Sequence, residues 1–369
     1  MNQQPTASEA VWAVRGQAVL GVGADGLGGA VLVPDAVVIV AGDRLRYAGP
    51  AADVPTELAA AVAGARPWPG YILPGLVDIH CHGGGGQSFP DASNAEAAMV
   101  AIMEHRRHGT TSLVASLVTD SPSVLIARAT MLGERCAAGE LAGIHLEGPF
   151  LSPACRGAQD PSKMLAPSAE LVGAVARAAG GFLATMTVAP ELPGVLSWSG
   201  AGAGAGGAGA GAGAGVGGAG GGSEGRGAAG GAGDLTVVEA LAAVGAVPSF
   251  GHTDCTADQL HSAVQAAVLA LGRAAVDDLP VGPVGDSRGG RAGGSPRGRP
   301  GEPPRDRPGG LTGGSRSAVW PHCSRPTVTH LFNGMRPIHH RRPGPALECL
   351  AQSAAGDLVV ELIADGVHL

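Results

Sequence analysis

The rhythm of apolar and polar positions changes near Tyr71. Before it, short apolar runs at 18–22, 30–33, 36–40 and 44–48 follow one another closely, broken by Gly, Asp and Pro. Such runs predict β-strands joined by tight turns. They make a small β module over residues 1–70, with too few strands for a complete sandwich, so an incomplete β-sandwich needing a partner from elsewhere in the chain is expected.

After Tyr71, apolar runs of strand length lie at 76–82, 111–117, 142–147, 183–191, 246–252, 327–331 and 358–364, and stretches such as 95–108 and 123–138 place apolar residues at helical spacing between them. Strands alternating with helices predict parallel β/α units. A succession of seven predicts an α/β fold, a (β/α)8 TIM barrel over residues 71–369 that is incomplete because its eighth strand is absent. Two tracts interrupt the rhythm: residues 199–233 are almost pure Gly and Ala, and residues 281–317 are rich in Gly, Pro and Arg. Neither carries enough apolar surface to offset the entropy of ordering, so both are expected to be disordered insertions.

Composition changes this picture little. With the two tracts set aside, the 369 residues suit one barrel-sized core plus the small module. A net charge of −7, from 24 Lys and Arg against 31 Asp and Glu, argues against a nucleic-acid partner. No run approaches the length of a membrane span, so no membrane partner is expected. Six cysteines without CxxC pairs, and an N-terminus without a signal-peptide pattern, point to the reducing cytoplasm.

The candidate chemistry lies where the barrel strands end. His80 and His82, Glu147, His252 and His330 each close a strand-like run, and Asp365 and His368 follow the seventh. Barrel enzymes build their sites at the C-terminal ends of the strands, because the loops there converge. Alternation along a strand puts His80 and His82 on one side. Glu147 ends an apolar run stopped at once by Gly148-Pro149. Imidazoles with a carboxylate suit a divalent metal, Zn, Fe, Mn or Co, as one or two ions. Such an ion lowers the pKa of bound water and polarises a carbonyl, which points to hydrolysis of an amide or related bond, with a carboxylate to shuttle the proton. His105, His108 and His261 are expected on helix surfaces, and His322 borders the second tract. His339 and His340 share a loop with Arg336, Arg341 and Arg342. That loop has the composition of a phosphate site and equally that of a solvated basic loop.

The blocks Leu73-Pro74-Gly75-Leu76-Val77-Asp78-Ile79-His80-Cys81-His82-Gly83, His145-Leu146-Glu147-Gly148-Pro149-Phe150, Ala189-Pro190-Glu191, Gly251-His252-Thr253-Asp254, Thr329-His330-Leu331-Phe332-Asn333-Gly334-Met335 and Ile363-Ala364-Asp365-Gly366-Val367-His368 resemble, in order, the motifs of the N-acetylglucosamine-6-phosphate deacetylases of the amidohydrolase superfamily. The resemblance covers the chain apart from the two tracts. It implies a metal-dependent barrel with a small β-sandwich made from both chain ends. The reaction implied removes acetate from N-acetylglucosamine 6-phosphate, a step of amino-sugar catabolism. By motif, Glu147, His252 and His330 would bind the main metal, and His80 with His82 a second. Asn333 and Gly334 would offer backbone amides to the phosphate, Arg341 would pair with it across a homodimer, and His368 would contact the sugar or the acetyl oxygen.

Two departures stand out. Gln159 follows Gly157-Ala158 where the family commonly has a substrate-binding His, so Gln159 is expected to take that contact with altered strength. The family's catalytic Asp lies downstream of the last block, beyond Leu369, so no catalytic residue is assigned within the chain, and a truncated gene product or incomplete gene model with little activity is expected. The alternatives are another amidohydrolase, such as a cyclic amidase or nucleobase deaminase, or a non-catalytic remnant that binds metal and sugar phosphate.

Overall fold

The computed structural model describes residues 10–21, 30–196, 235–277 and 325–368. The expected insertions at 199–233 and 281–317, and His322, lie outside the described residues. Two compact units emerge, the first running to Val77 with Gly109–Thr111, the second comprising Asp78–His108 and the chain from Ser112 onward.

The first unit is built on β1 (Val11–Gly21), β2 (Ala30–Ala41), β3 (Arg44–Pro50) and β4 (Arg66–Ile72), with a short helix α1 (Ala59–Ala63). Among the described residues these strands form one four-stranded sheet in the order β3-β2-β1-β4, rather than two facing sheets of a sandwich. The apolar runs at 30–33 and 36–40 are one strand: Pro34 and Asp35 do not break it, because a register shift between Gly16 and Ala18 of β1 takes up the irregularity. One face is covered by chain that follows β3, where Ala13, Val37 and Ile39 pack with Val54, Leu58 and Val62.

The second unit carries the seven-stranded sheet. Its strands are β5 (Leu76–Cys81), β8 (Thr110–Leu117), β9 (Gly143–Glu147), β10 (Leu183–Val188), β11 (Val247–Phe250), β12 (Thr327–Val328) and β13 (Val359–Val360), ordered β13-β12-β11-β10-β9-β8-β5. A small ribbon, β6 (Gly83–Gly84) with β7 (Gln87–Ser88), follows β5. The pairs from β8 to β13 are parallel. The intervening helices are α2 (Ala95–Arg107), α3 (Pro122–Ala137), α4 (Ala169–Ala178), α5 (Val237–Ala243), α6 (Ala257–Asp277) and α7 (Gly344–Ala355). This curled parallel sheet with its helices is an incomplete (β/α) barrel, and the N-terminal sheet belongs to the first unit.

Period-two alternation sorts β9. Ile144 and Leu146 enter the core with Leu125 and Leu132 of α3 and Val172 and Val175 of α4, while His145 and Glu147 turn toward polar partners. Each buried aliphatic side chain contributes about 1.5–3 kcal/mol. Helix starts follow local chemistry: Asn94 caps α2 by accepting from Ala97 N, and Thr236 with Glu239 forms a reciprocal capping box on α5. Strands β11 and β12 are shorter than the apolar runs because His252 (φ 48°) and His330 (φ 30°) turn the backbone into the left-handed region just beyond each ladder.

Candidate metal centre

Glu147 closes β9, is 4% exposed, and is surrounded by imidazoles. Its Oε1 lies 2.8 Å from His252 Nε2 and 3.0 Å from His330 Nε2, and His80 Nε2 is 3.8 Å away. Its Oε2 lies 3.2 Å from His82 Nε2. The structure therefore brings together Glu147, His252, His330, His80 and His82, drawn from the ends of β5 and β9 and the turns after β11 and β12. Burial pushes the Glu147 carboxyl up, but the imidazoles of His252, His330 and His82 gathered around it outweigh burial and hold the group below the ordinary carboxylate range.

The nitrogens also face one another. His80 Nε2 stands 3.0 Å from His82 Nε2, and His330 Nε2 stands 3.2 Å from His252 Nε2. A backbone carbonyl only accepts, so the 2.9 Å contact of His252 Nδ1 with Cys155 O puts the proton on Nδ1. In the neutral ring the Nε2 lone pair then points at a carboxylate oxygen, which is repulsive unless positive charge lies between them. The N–N contacts, one on either side of Glu147, are repulsive in the same way when both rings present lone pairs, as metal ligands do. Ligands about 2.0–2.1 Å from a shared tetrahedral ion stand about 3.3 Å apart, so both contacts have nearly the spacing of co-ligands. The donor set fits a divalent cation at Glu147, His252 and His330, and a second at His80, His82 and Glu147; each trio of ligand atoms falls within 4.8 Å.

Beneath this rim lies a polar layer that sequence reasoning missed. His145 Nδ1 is 2.9 Å from Ser116 Oγ and its Nε2 is 2.8 Å from Thr187 Oγ1; Thr187 reaches Thr329 Oγ1 at 2.7 Å, and Thr329 reaches Ser249 Oγ at 2.6 Å. All five residues are buried. Ser116 Oγ accepts from Cys81 N at 3.0 Å, leaving its proton for His145 Nδ1, so one donor order satisfies the whole chain with His145 neutral. Burial pushes the His145 imidazolium well below its ordinary pKa, and neighbouring His80 adds to that. The only sequence signal was polar residues at alternate positions of β8 to β11.

Gln159, expected to contact substrate, is 6% exposed and has both ends of its amide engaged. Its Oε1 accepts from Thr119 N at 2.9 Å and its Nε2 donates to Glu147 Oε2 at 2.6 Å. The Asn333 amide closes a turn on the His330 carbonyl at 2.9 Å, so it faces the chain and not an anion. Gly334 (φ 60°) sits against the His252 ring. Arg336 is paired with Asp254, whose carboxyl it holds below the usual range, whereas Arg341 is exposed. His368 is exposed and held by Asp365, with Nδ1 2.7 Å from Oδ2; amides of His368 and Val367 draw the Asp365 carboxyl down to about 2. His105, expected on the helix surface, is half-buried, with Nε2 3.0 Å from both Gly83 O and Cys81 Sγ. His108 and His261 are exposed.

Residues 71–197 match the amidohydrolase family. By sequence and by fold the chain is related to the N-acetylglucosamine-6-phosphate deacetylases. It is 28% identical over 307 residues to the deacetylase of that name from Bacillus subtilis (strain 168), covering 80% of this chain and 52% of that one. The crystal structure of N-acetyl-D-glucosamine-6-phosphate deacetylase from Mycobacterium smegmatis superposes with a TM-score of 0.61 at 27% identity, over 97% of this chain and 65% of that one. The D267A mutant of the same enzyme, in complex with N-acetyl-D-glucosamine-6-phosphate, gives 0.60 at 27% identity, over 98% and 65%. The chain spans about half the length of the curated relatives it matches.

Proposed function

We propose that this chain carries the metal- and substrate-binding part of a deacetylase that hydrolyses the acetamido group of N-acetyl-D-glucosamine 6-phosphate, giving D-glucosamine 6-phosphate and acetate. The observation that supports it most is the buried Glu147 between two imidazole pairs, at the barrel rim of a chain whose relatives bear that name. Those relatives favour this reading over a cyclic amidase or deaminase.

In this reading Glu147, His252 and His330 hold the main divalent ion, Zn, Fe, Mn or Co, and His80 with His82 a second. An ion there would polarise the acetamido carbonyl and make bound water a better nucleophile. The residues do the positioning. Cys155 O fixes the His252 ring with Nε2 inward, and Gln159 fixes Glu147 from Oε2. Gly334 and Arg341 are assigned to the phosphate, with Asn333 closing the turn from His330 that leads into Gly334, and His368 to the sugar or the acetyl oxygen. A homodimer that brings Arg341 to the neighbouring subunit's substrate completes the proposal, as does a cytoplasmic location, consistent with the five free cysteines among the described residues. The proposed domains are a β module over 1–70 and a barrel over 71–369.

The test is metal content followed by ligand binding. The dialysed protein should retain divalent metal by elemental analysis and Glu147→Gln should lose it; unchanged metal in that variant rules out the ligand set. The loaded protein should bind N-acetylglucosamine 6-phosphate in calorimetry, and Arg341→Ala should weaken this. Absence of binding at full metal load rules out the substrate.

A further inference from the structure

Glu361 follows directly on the two-residue strand β13, within the apolar run Leu358-Val359-Val360-Glu361-Leu362-Ile363, and the sequence gives it no role. Its main chain is locked to the neighbouring strand region, with Glu361 N donating to Val328 O at 3.1 Å and Leu331 N donating to Glu361 O at 2.8 Å. Its side chain, only 15% exposed, reaches into the rim. There Oε1 accepts from His80 Nδ1 at 2.7 Å and from the backbone N–H of His330 at 3.2 Å. One carboxylate oxygen at the end of β13 thus reaches the end of β5, the strand at the other extreme of the sheet order, and the turn after β12.

We infer that Glu361 is a positioning residue for the metal pair, acting through His80. An ionised carboxylate only accepts, so it fixes the proton of His80 on Nδ1 and leaves the Nε2 lone pair facing His82 Nε2 and Glu147 Oε1. Carboxylates behind metal-ligating imidazoles set the tautomer, hold the ring plane and raise the basicity of the ligand nitrogen. His252 has the weaker form of the same device, a neutral carbonyl, Cys155 O. His82 has none: its Nδ1 is buried without a partner. The second position therefore depends on Glu361 for the orientation of its better-held imidazole. The inference rests on the reading that His80 and His82 bind a metal.

The experiment compares wild type, Glu361→Ala, Glu361→Gln and His80→Ala in the full chain. Affinity for the first and second Zn²⁺ equivalents is measured by competition with a chelating dye. Long-range ¹⁵N–¹H NMR reads the His80 tautomer. Loss of the second equivalent in His80→Ala establishes the parent reading. Glu361→Ala should then weaken the second equivalent by roughly 10- to 100-fold while the first moves far less. Glu361→Gln, which keeps an acceptor without the charge, should fall between. His80 should carry its proton on Nδ1 in the wild type, a readout that survives even if Glu361→Ala does not fold. Second-equivalent affinity unchanged in Glu361→Ala, equal weakening of both equivalents, or an Nε2–H tautomer in wild type overturns the inference alone. Two equivalents retained by His80→Ala overturn it together with the parent reading.

Discussion

At the scale of single residues, the centre is a problem of charge and proton bookkeeping around Glu147. A buried carboxylate needs compensating charge, and four neutral imidazoles supply it only by presenting the nitrogens that would hold a cation against it. His145 answers a different need, as the neutral hinge of the polar layer below. Replacing it, His145→Leu, leaves the facing hydroxyls of Ser116 and Thr187 each short of a partner. We expect a loss of about 1–3 kcal/mol in urea-denaturation stability, with the metal ligands themselves intact. Buried thiols are a second residue-scale consequence. Burial pushes the Cys136 and Cys255 thiols up to about 12 each. Mass spectrometry after brief alkylation at mildly alkaline pH should find both unmodified in the native protein and modified after unfolding.

At the scale of elements, the loops that leave the sheet set the geometry. His252 and His330 both hold left-handed backbone at the point where their strands end, a conformation that costs about 1–3 kcal/mol and persists where surrounding contacts enforce it. Gly334 lies in one such loop at φ 60°, and a Cβ there would stand 3.0 Å from His252 Nδ1. Gly334→Ala therefore adds backbone strain of about 1–2 kcal/mol and presses on the ring that bonds Cys155 O. The expected result is weaker binding at the main metal position with little change at the second, read by the same dye competition. The His80–His82 pair was legible from its spacing and the Gly-rich stretch after it. The brevity of β11 and β12 was not, because a left-handed turn at a histidine leaves no mark in an apolar run.

At the scale of the molecule, the proposed metal site links binding to fold. Its proposed ligands come from residues 80 to 330 of the chain, so the site exists only when the sheet is curled, and an ion that binds only the folded form would stabilise it. At about 100 times the dissociation constant this amounts to about 2.7 kcal/mol. Wild-type protein should lose that increment in chelator, measured by urea denaturation, and Glu147→Gln should show no difference with and without metal. An equal chelator effect on both proteins would place the stabilising ion elsewhere.

The alternation of strands and helices, the clustering of His and acid residues at strand ends, and the two low-complexity tracts were all determined by the sequence, because period and punctuation are local properties. The metal-ligand candidates were legible for the same reason: each lies at or near the end of an apolar run. The partners that orient them were decided by tertiary structure alone. Glu361 meets His80 across a separation of 281 residues, Gln159 meets Glu147 from a neighbouring loop, and His145 joins a hydroxyl ladder spread over several strands. A hydrogen bond between such residues depends on how far the sheet curls and which face each strand turns inward, and no local pattern carries that information.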